Sequence, residues 1–101
     1  MFDKLMQAQQ MAEEIKKRLD TISVSSELEG GKLKMTSTAN KKITGLAIDP
    51  EFLHTADAEE LEELLITLVN KTLEKADQVS QTEMQAATRD MMGGLGGMFG
   101  K

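Results

Sequence analysis

The chain has 101 residues, 12 of them basic and 17 acidic, for a formal net charge of −5. That length predicts one domain with a modest core, because a chain of this size buries only somewhat more than ~60% of its unfolded surface. It contains no Cys, one His and three aromatic residues, all Phe, which excludes disulfide frameworks, Cys-ligated zinc, thiol nucleophiles and two-histidine metal sites. No apolar run approaches the ~18 residues needed to cross a bilayer. The opening MFDKLMQAQQ places Asp3, Gln7 and Gln9 where a signal peptide needs an unbroken apolar stretch. These features predict a small cytoplasmic protein that is not an enzyme and uses no metal, cofactor, membrane or small-molecule substrate.

The first element is a long helix. Met1, Leu5, Ala8, Ala12, Ile15, Leu19 and Ile22 recur at spacings of 4, 3, 4, 3, 4 and 3, an a/d heptad seam. Residues 2–20 as a helix span roughly 28 Å at 1.5 Å per residue. Met6 and Met11 widen the stripe. A seam this long needs a partner, either the domain's own core or another copy of the chain. For a homodimer the interface candidates are Leu5, Ala8, Ala12, Ile15 and Leu19.

From Thr21 the period becomes two. Ile22, Val24, Ser26 and Leu28 alternate with Ser23, Ser25 and Glu27, and Gly30-Gly31 supplies a hairpin turn. Leu33, Met35 and Ser37 alternate with Lys32, Lys34, Thr36 and Thr38 in a second strand. Ala39-Asn40-Lys41 forms the next turn, where Asn tolerates left-handed geometry. A third strand covers residues 42–49, and Ile43, Leu46 and Ile48 share a face only if a bulge lies near Gly45. Pro50 then stops the sheet, a three-stranded antiparallel meander. His54 falls in the following loop and reads as a surface residue.

The second predicted helix opens on Asp57 and Glu60 at capping-box spacing, with Glu59, Glu60, Glu62 and Glu63 at the positive end of its dipole. Leu61, Leu64, Leu65, Leu68, Val69, Thr72, Leu73 and Ala76 form an apolar face suited to a sheet. Helical character extends toward Asp90. Residues 91–101 hold five glycines and three methionines, which predicts a flexible tail after a domain at 1–90. Met91, Met92 and Met98 offer adaptable apolar handles there. The fold class is α+β, in the order α-β-β-β-α.

Charge is uneven. Residues 51–79 carry eight acidic groups against two basic ones, whereas residues 1–20 and 21–50 are close to balance. The basic candidates are Lys16, Lys17 and Arg18 on the first helix, with Lys32, Lys34, Lys41 and Lys42 on the sheet. Such groups neutralise backbone phosphates without reading sequence. With Glu13, Glu14, Asp20, Glu27 and Glu29 nearby, they also make an ordinary solvated face. No aromatic residue lies among them, so stacking on single strands is not indicated.

The order of weak signals resembles the YbaB/EbfC family of nucleoid-associated proteins. The resemblance is carried by the Met- and Gln-rich stretch from Leu5 to Met11, by Gly30-Gly31 before Lys32-Leu33-Lys34-Met35-Thr36, and by Ile48-Asp49-Pro50 leading into Phe52-Leu53. The helix from Leu61 to Asn70 and the Gly/Met/Phe tail complete it. It implies a tweezer-like homodimer whose protruding helices grip double-stranded DNA, located at the nucleoid, with no catalysis and no cofactor. It selects the phosphate-contact reading for Lys16, Lys17, Arg18, Lys32, Lys34, Lys41 and Lys42. The competing reading is a dimeric protein–protein adaptor without direct DNA binding, recognised through the apolar seam and the tail.

Overall fold

The change of period at Thr21 coincides with the end of the first helix, α1 (Phe2–Thr21). A computed structural model of the chain describes the backbone of residues 2–98 and the side chains of residues 3–89. Met1, the first position of the expected seam, and residues 99–101 of the expected tail lie outside the described residues. The side chains of Met91, Met92 and Met98 do so too. Three strands follow α1: β1 (Ser23–Leu28), β2 (Leu33–Thr38) and β3 (Ile43–Ile48). They pair antiparallel in the order β1-β2-β3. Gly30 and Gly31 take φ of +66° and +91° in the first hairpin, values that glycine adopts without steric cost.

The bulge expected near Gly45 is present. Thr36 faces Gly45 but Ser37 faces Ile43, so Thr44 is the extra residue. Thr36 and Thr44 join hydroxyls at 3.0 Å beside it. A Cβ on Gly45 would lie 2.7 Å from the Thr36 oxygen, which explains the glycine. The slip puts Ile43, Leu46 and Ile48 opposite Ser37, Met35 and Leu33, on the core face of the sheet.

Between the sheet and the main helix the structure adds a short helix where the sequence predicts a loop. This is α2 (Pro50–Thr55). Asp49 caps it by accepting from the Phe52 amide at 3.2 Å, and Pro50 occupies its first turn. A cap residue followed by proline is a helix-start signature, so the signal was present at Asp49-Pro50. The turn carries Phe52 into the core and leaves His54 exposed.

The long helix α3 (Ala58–Met98) begins as expected, with Asp57 accepting from the Glu60 amide at 2.7 Å. It packs across β1 and β2. Leu33, Met35, Phe52 and Leu68 form the core, flanked by Leu28, Ile48, Ala56, Leu61, Leu64 and Val69. Fully burying a side chain such as Leu33 or Leu68 contributes about 1.5–3 kcal/mol. Further along, the buried residues are small: Ser26, Ser37, Thr72 and Ala76. Small side chains let the helix approach the sheet closely. Thr72 donates to the Leu68 carbonyl and Ser37 to the Thr38 carbonyl, both at 2.8 Å. The buried Ser26 hydroxyl has no hydrogen-bond partner among the described residues.

Beyond Ala76, α3 leaves the sheet and runs antiparallel to α1, forming a two-helix arm that stretches the molecule to 65 × 27 × 18 Å. Only the C-terminal end of α1 is tied to the sheet. The Ala39 amide lies 3.2 Å from the Leu19 carbonyl and 3.0 Å from the Ile22 carbonyl. Asn40 donates from Nδ2 to the Lys16 carbonyl at 2.8 Å and to the Asp20 carboxylate at 2.6 Å. The left-handed position of this turn is Lys41, at φ +66°, rather than the Asn40 expected from propensity. The Asn40 side chain is engaged with α1 instead.

The expected boundary at residue 90 does not coincide with the end of a helix. The backbone is helical to Met98, through Gly93, Gly94, Gly96 and Gly97. Each glycine costs about 1 kcal/mol relative to alanine in a helix interior, so this is the part of α3 with the weakest intrinsic support.

Three outcomes follow for stability. Ser26→Ala removes a buried hydroxyl that has no partner among the described residues, and should raise the urea-unfolding free energy by about 1 kcal/mol. Asn40→Ala should lower it by about the same amount and speed hydrogen exchange selectively in α1. Deleting residues 91–101 should move the melting temperature by less than about 4 °C, the shift that ~1 kcal/mol produces in a domain of this size. A larger drop on calorimetry would place the segment in the stabilising core.

Candidate nucleic-acid interface

Cations on this protein are set by two surfaces, the two-helix arm and the uncovered face of the sheet. On α1, Lys16, Lys17 and Arg18 are consecutive, so the helix points them about 100° apart. All three are exposed. Ile15 and Leu19 face α3, so Lys16 and Arg18 flank the contact line and Lys17 points away from it. Arg18 reaches the Glu83 carboxylate on α3 at 3.3 Å, with 65% of its own side chain exposed. The structure therefore spreads the trio around the arm and partly neutralises one member.

The sheet cations are likewise exposed. Lys34 projects from the outer face opposite Glu27. Lys32 places its ammonium 5.9 Å from the centre of the Phe52 ring, within the range of a cation–π contact. Lys41 pairs with Asp77 of α3 at 3.0 Å. Ion pairs this exposed contribute only about 0–1 kcal/mol, and they yield readily to a competing phosphate. Lys42 makes no ion pair among the described residues.

Two lysines that the sequence reading passed over belong with this set. Lys71 and Lys75, one turn apart on α3, reach down to β1 and donate to the carbonyls of Glu27 at 3.2 Å and Ser25 at 2.9 Å. With Lys34 and Thr36 they border a hollow of about 350 Å³. Their signal was the i, i+4 spacing on the polar side of the sheet-packing helix. Arg89, exposed on the distal part of α3, adds a cation to the arm.

The arm also has an apolar side. Ala8, Met11, Ala12 and Ile15 of α1 face Met84 and Ala87 of α3 across a groove of about 410 Å³. Of the five residues expected at a dimer interface, Leu5, Ala8 and Ala12 are exposed and Ile15 is half-buried. Leu19 is only 4% exposed within the single chain. It has no surface left to give a second copy, so its place in the seam is intramolecular, against the turn at Ala39 and Asn40.

Glu59, Glu60, Glu62 and Glu63 are exposed around the first turns of α3, where they face solvent and the helix dipole. Among the described residues no three His, Cys, Asp or Glu side chains are placed to share a metal ion. No helix among them is long and apolar enough to cross a membrane. What the surface provides is dispersed positive charge with hydroxyl groups, which suits contacts to phosphate oxygens.

Comparison with known proteins agrees with this chemistry. A nucleoid-associated protein of Flavobacterium johnsoniae is 41% identical over 97% of this chain and 91% of its own length. Nucleoid-associated proteins of Chlorobium phaeobacteroides and Ruminiclostridium cellulolyticum are each 34% identical, covering 93% and 94% of this chain and 83% and 84% of their own. The fold is similar to the crystal structure of an uncharacterized protein from Helicobacter pylori, with a TM-score of 0.65 at 15% identity. That match covers 77% of this chain and 90% of the other. Residues 1–91 match the YbaB/EbfC DNA-binding family, and the chain belongs to that family.

Proposed function

We propose that this protein is a nucleoid-associated homodimer that binds double-stranded DNA with little sequence preference and so influences nucleoid organisation and gene expression. The observation that carries the reading is the distribution of exposed cations. Lys16, Lys17, Arg18 and Arg89 lie around the arm, and Lys32, Lys34, Lys41 and Lys42 lie around the sheet. Dispersed Lys and Arg contact phosphates, whose geometry does not depend on sequence. Phe52, beside Lys32, is buried, so among the described residues no exposed aromatic side chain accompanies them, and duplex rather than stacked single strands is the matching ligand. Phosphate binding requires no chemical step, and the role is one of binding rather than catalysis.

A homodimer presents two arms, and the tweezer arrangement lets both engage one duplex. The names of the relatives support a nucleoid location, and a cytoplasmic compartment is the one in which a nucleoid is met. The acidic residues Glu13, Glu14, Asp20 and Glu83 on the same arm weaken its field and keep the affinity low. The apolar groove between α1 and α3 favours the adaptor reading as the second choice, because a partner's apolar side chains fit it better than phosphates do.

Titration with duplex DNA at several salt concentrations separates the two. The dissociation constant should fall in the range of ~10⁻⁴ to 10⁻⁶ M, and log affinity should decline against log salt by about 0.9 per phosphate contact. Changing Lys16, Lys17 and Arg18 together to Glu should abolish binding, while circular dichroism and oligomeric state stay unchanged. Undiminished binding by that variant would remove the first helix from the contact surface. No binding by the natural chain at low salt would leave the adaptor reading.

A further inference from the structure

Lys71 and Lys75 differ from the other cations in what holds them. Lys71 donates to the Glu27 carbonyl at 3.2 Å and Lys75 to the Ser25 carbonyl at 2.9 Å. Arg18 and Lys41, by contrast, are held by carboxylates. A carbonyl is neutral, so each of the two ammonium groups keeps its full charge and two of its three N–H donors. Neither lysine, nor Lys34 beside them, makes an ion pair among the described residues. The bonds to β1 also order the side chains in advance. A free lysine must give up rotamer freedom when a ligand fixes it, and these two have given up much of it within the fold.

Their placement has a fixed interval. Four residues apart on α3, Lys71 and Lys75 are separated by about 6 Å along the helix axis. The carbonyls that hold them, two residues apart on β1, are separated by about 6–7 Å. That interval is comparable to the step between adjacent phosphates along one nucleic-acid strand. The charged residues bordering the hollow are Lys34, Lys71, Lys75 and Glu27, three cations against one anion, so it is positive by two charges. On the arm, Lys16, Lys17 and Arg18 share their surface with Glu13, Glu14, Asp20 and Glu83. Glu74 and Asp77, near the two lysines along α3, line a different hollow with Lys41.

We infer that the β1 edge is a phosphate-binding site, at which Lys71 and Lys75 each contact one of two adjacent phosphates on a single strand of duplex DNA while Lys34 adds its charge from the outer face of the sheet. The inference rests on the DNA-binding reading above and assigns to it a contact surface apart from the arm. Among the described residues, none that borders the hollow is aromatic or aliphatic. Bases therefore have nothing to stack on, and the backbone is the matching part of the ligand. Each phosphate neutralised there releases condensed counterions, which drives association without reading sequence. Glu27 opposes the ligand and keeps the site weaker than its three lysines alone would make it.

Titration of the full chain with duplex DNA across a salt series tests the site. Lys71→Gln and Lys75→Gln should each weaken binding roughly 8-fold at about 0.1 M salt and flatten the slope of log affinity against log salt by about 0.9. Lys34→Gln should act in the same direction to a smaller extent. Glu27→Gln removes the one carboxylate at the hollow and should tighten binding, a gain that a folding defect cannot imitate. Glu59→Gln makes the same change of net charge about 18 Å away along α3, beyond the reach of unscreened charge, and should not tighten binding. All five positions are exposed, so circular dichroism should stay native. Nuclear magnetic resonance should show the amides of Ser25 and Glu27 shifting when the duplex is added. If those amides moved with tripolyphosphate but not with the duplex, the hollow would hold free anions and its assignment to DNA would be overturned. Natural slope and affinity in the Lys71 and Lys75 variants, or equal tightening by Glu59→Gln and Glu27→Gln, would remove the site and leave the DNA-binding reading standing. A natural chain that bound no duplex at low salt would overturn both.

Discussion

The arrangement depends on α3 packing chiefly on β1 and β2, with β3 joining the core through Ile48. Leu68 and its neighbours meet Leu33 and Met35, and the small residues Ser26, Ser37, Thr72 and Ala76 let helix and sheet close together. Because that contact is centred on β1 and β2, the helix axis sits to one side of the sheet. Two consequences come from this offset. Lys71 and Lys75 are brought within reach of the β1 backbone, and Ile43 and Leu46 are left uncovered on β3. A helix centred on β2 would cover β3 and carry both lysines away from the edge.

The same helix is longer than the sheet it rests on. Its 41 residues extend about 60 Å at 1.5 Å per residue, and the part past Ala76 runs chiefly beside α1. The arm is thin, and it is joined to the sheet at the α1 end through Ala39 and Asn40. Its apolar seam is partly satisfied by α3, which buries Ile15 by half and leaves Leu5 and Ala8 open. A surface of this kind stays ordered by helix–helix packing while exposing charge on every other side.

Net charge is a coarse guide here because the acidic excess is concentrated in one segment, while residues 1–50 are close to balance. The eight acidic residues between positions 51 and 79 include Glu59, Glu60, Glu62 and Glu63 on the first turns of α3, where they favour the helix start. The cations are spread over the arm and the sheet. Asp77 pairs with Lys41 at 3.0 Å, whereas charges farther apart than about 8 Å are largely screened from one another at physiological ionic strength. A net charge of −5 therefore does not describe each surface separately.

The order helix, three strands, helix was legible in the sequence because each signal is local. The heptad spacing to Leu19, the alternation from Ile22 to Met35, the Asp57 cap and even the bulge at Gly45 involve residues within a few positions of one another. The α2 turn was written at Asp49-Pro50 in the same way and could be read there. Membership of the DNA-binding family was likewise carried by local stretches in a fixed order. What local pattern does not contain is which surface faces which. The sequence marks Leu19 as one seam position among seven, and only the packing of α1 against the 39–40 turn makes it a buried intramolecular contact. Lys16, Lys17 and Arg18 read as a cluster along the chain, yet a helix disperses three consecutive residues and Glu83, 65 residues away, claims one of them. Lys71 and Lys75 read as solvated helix positions until the sheet is placed beneath them. Burial and pairing depend on contacts between residues far apart in the chain, and those are settled by the packing of whole elements, which only the tertiary structure decides.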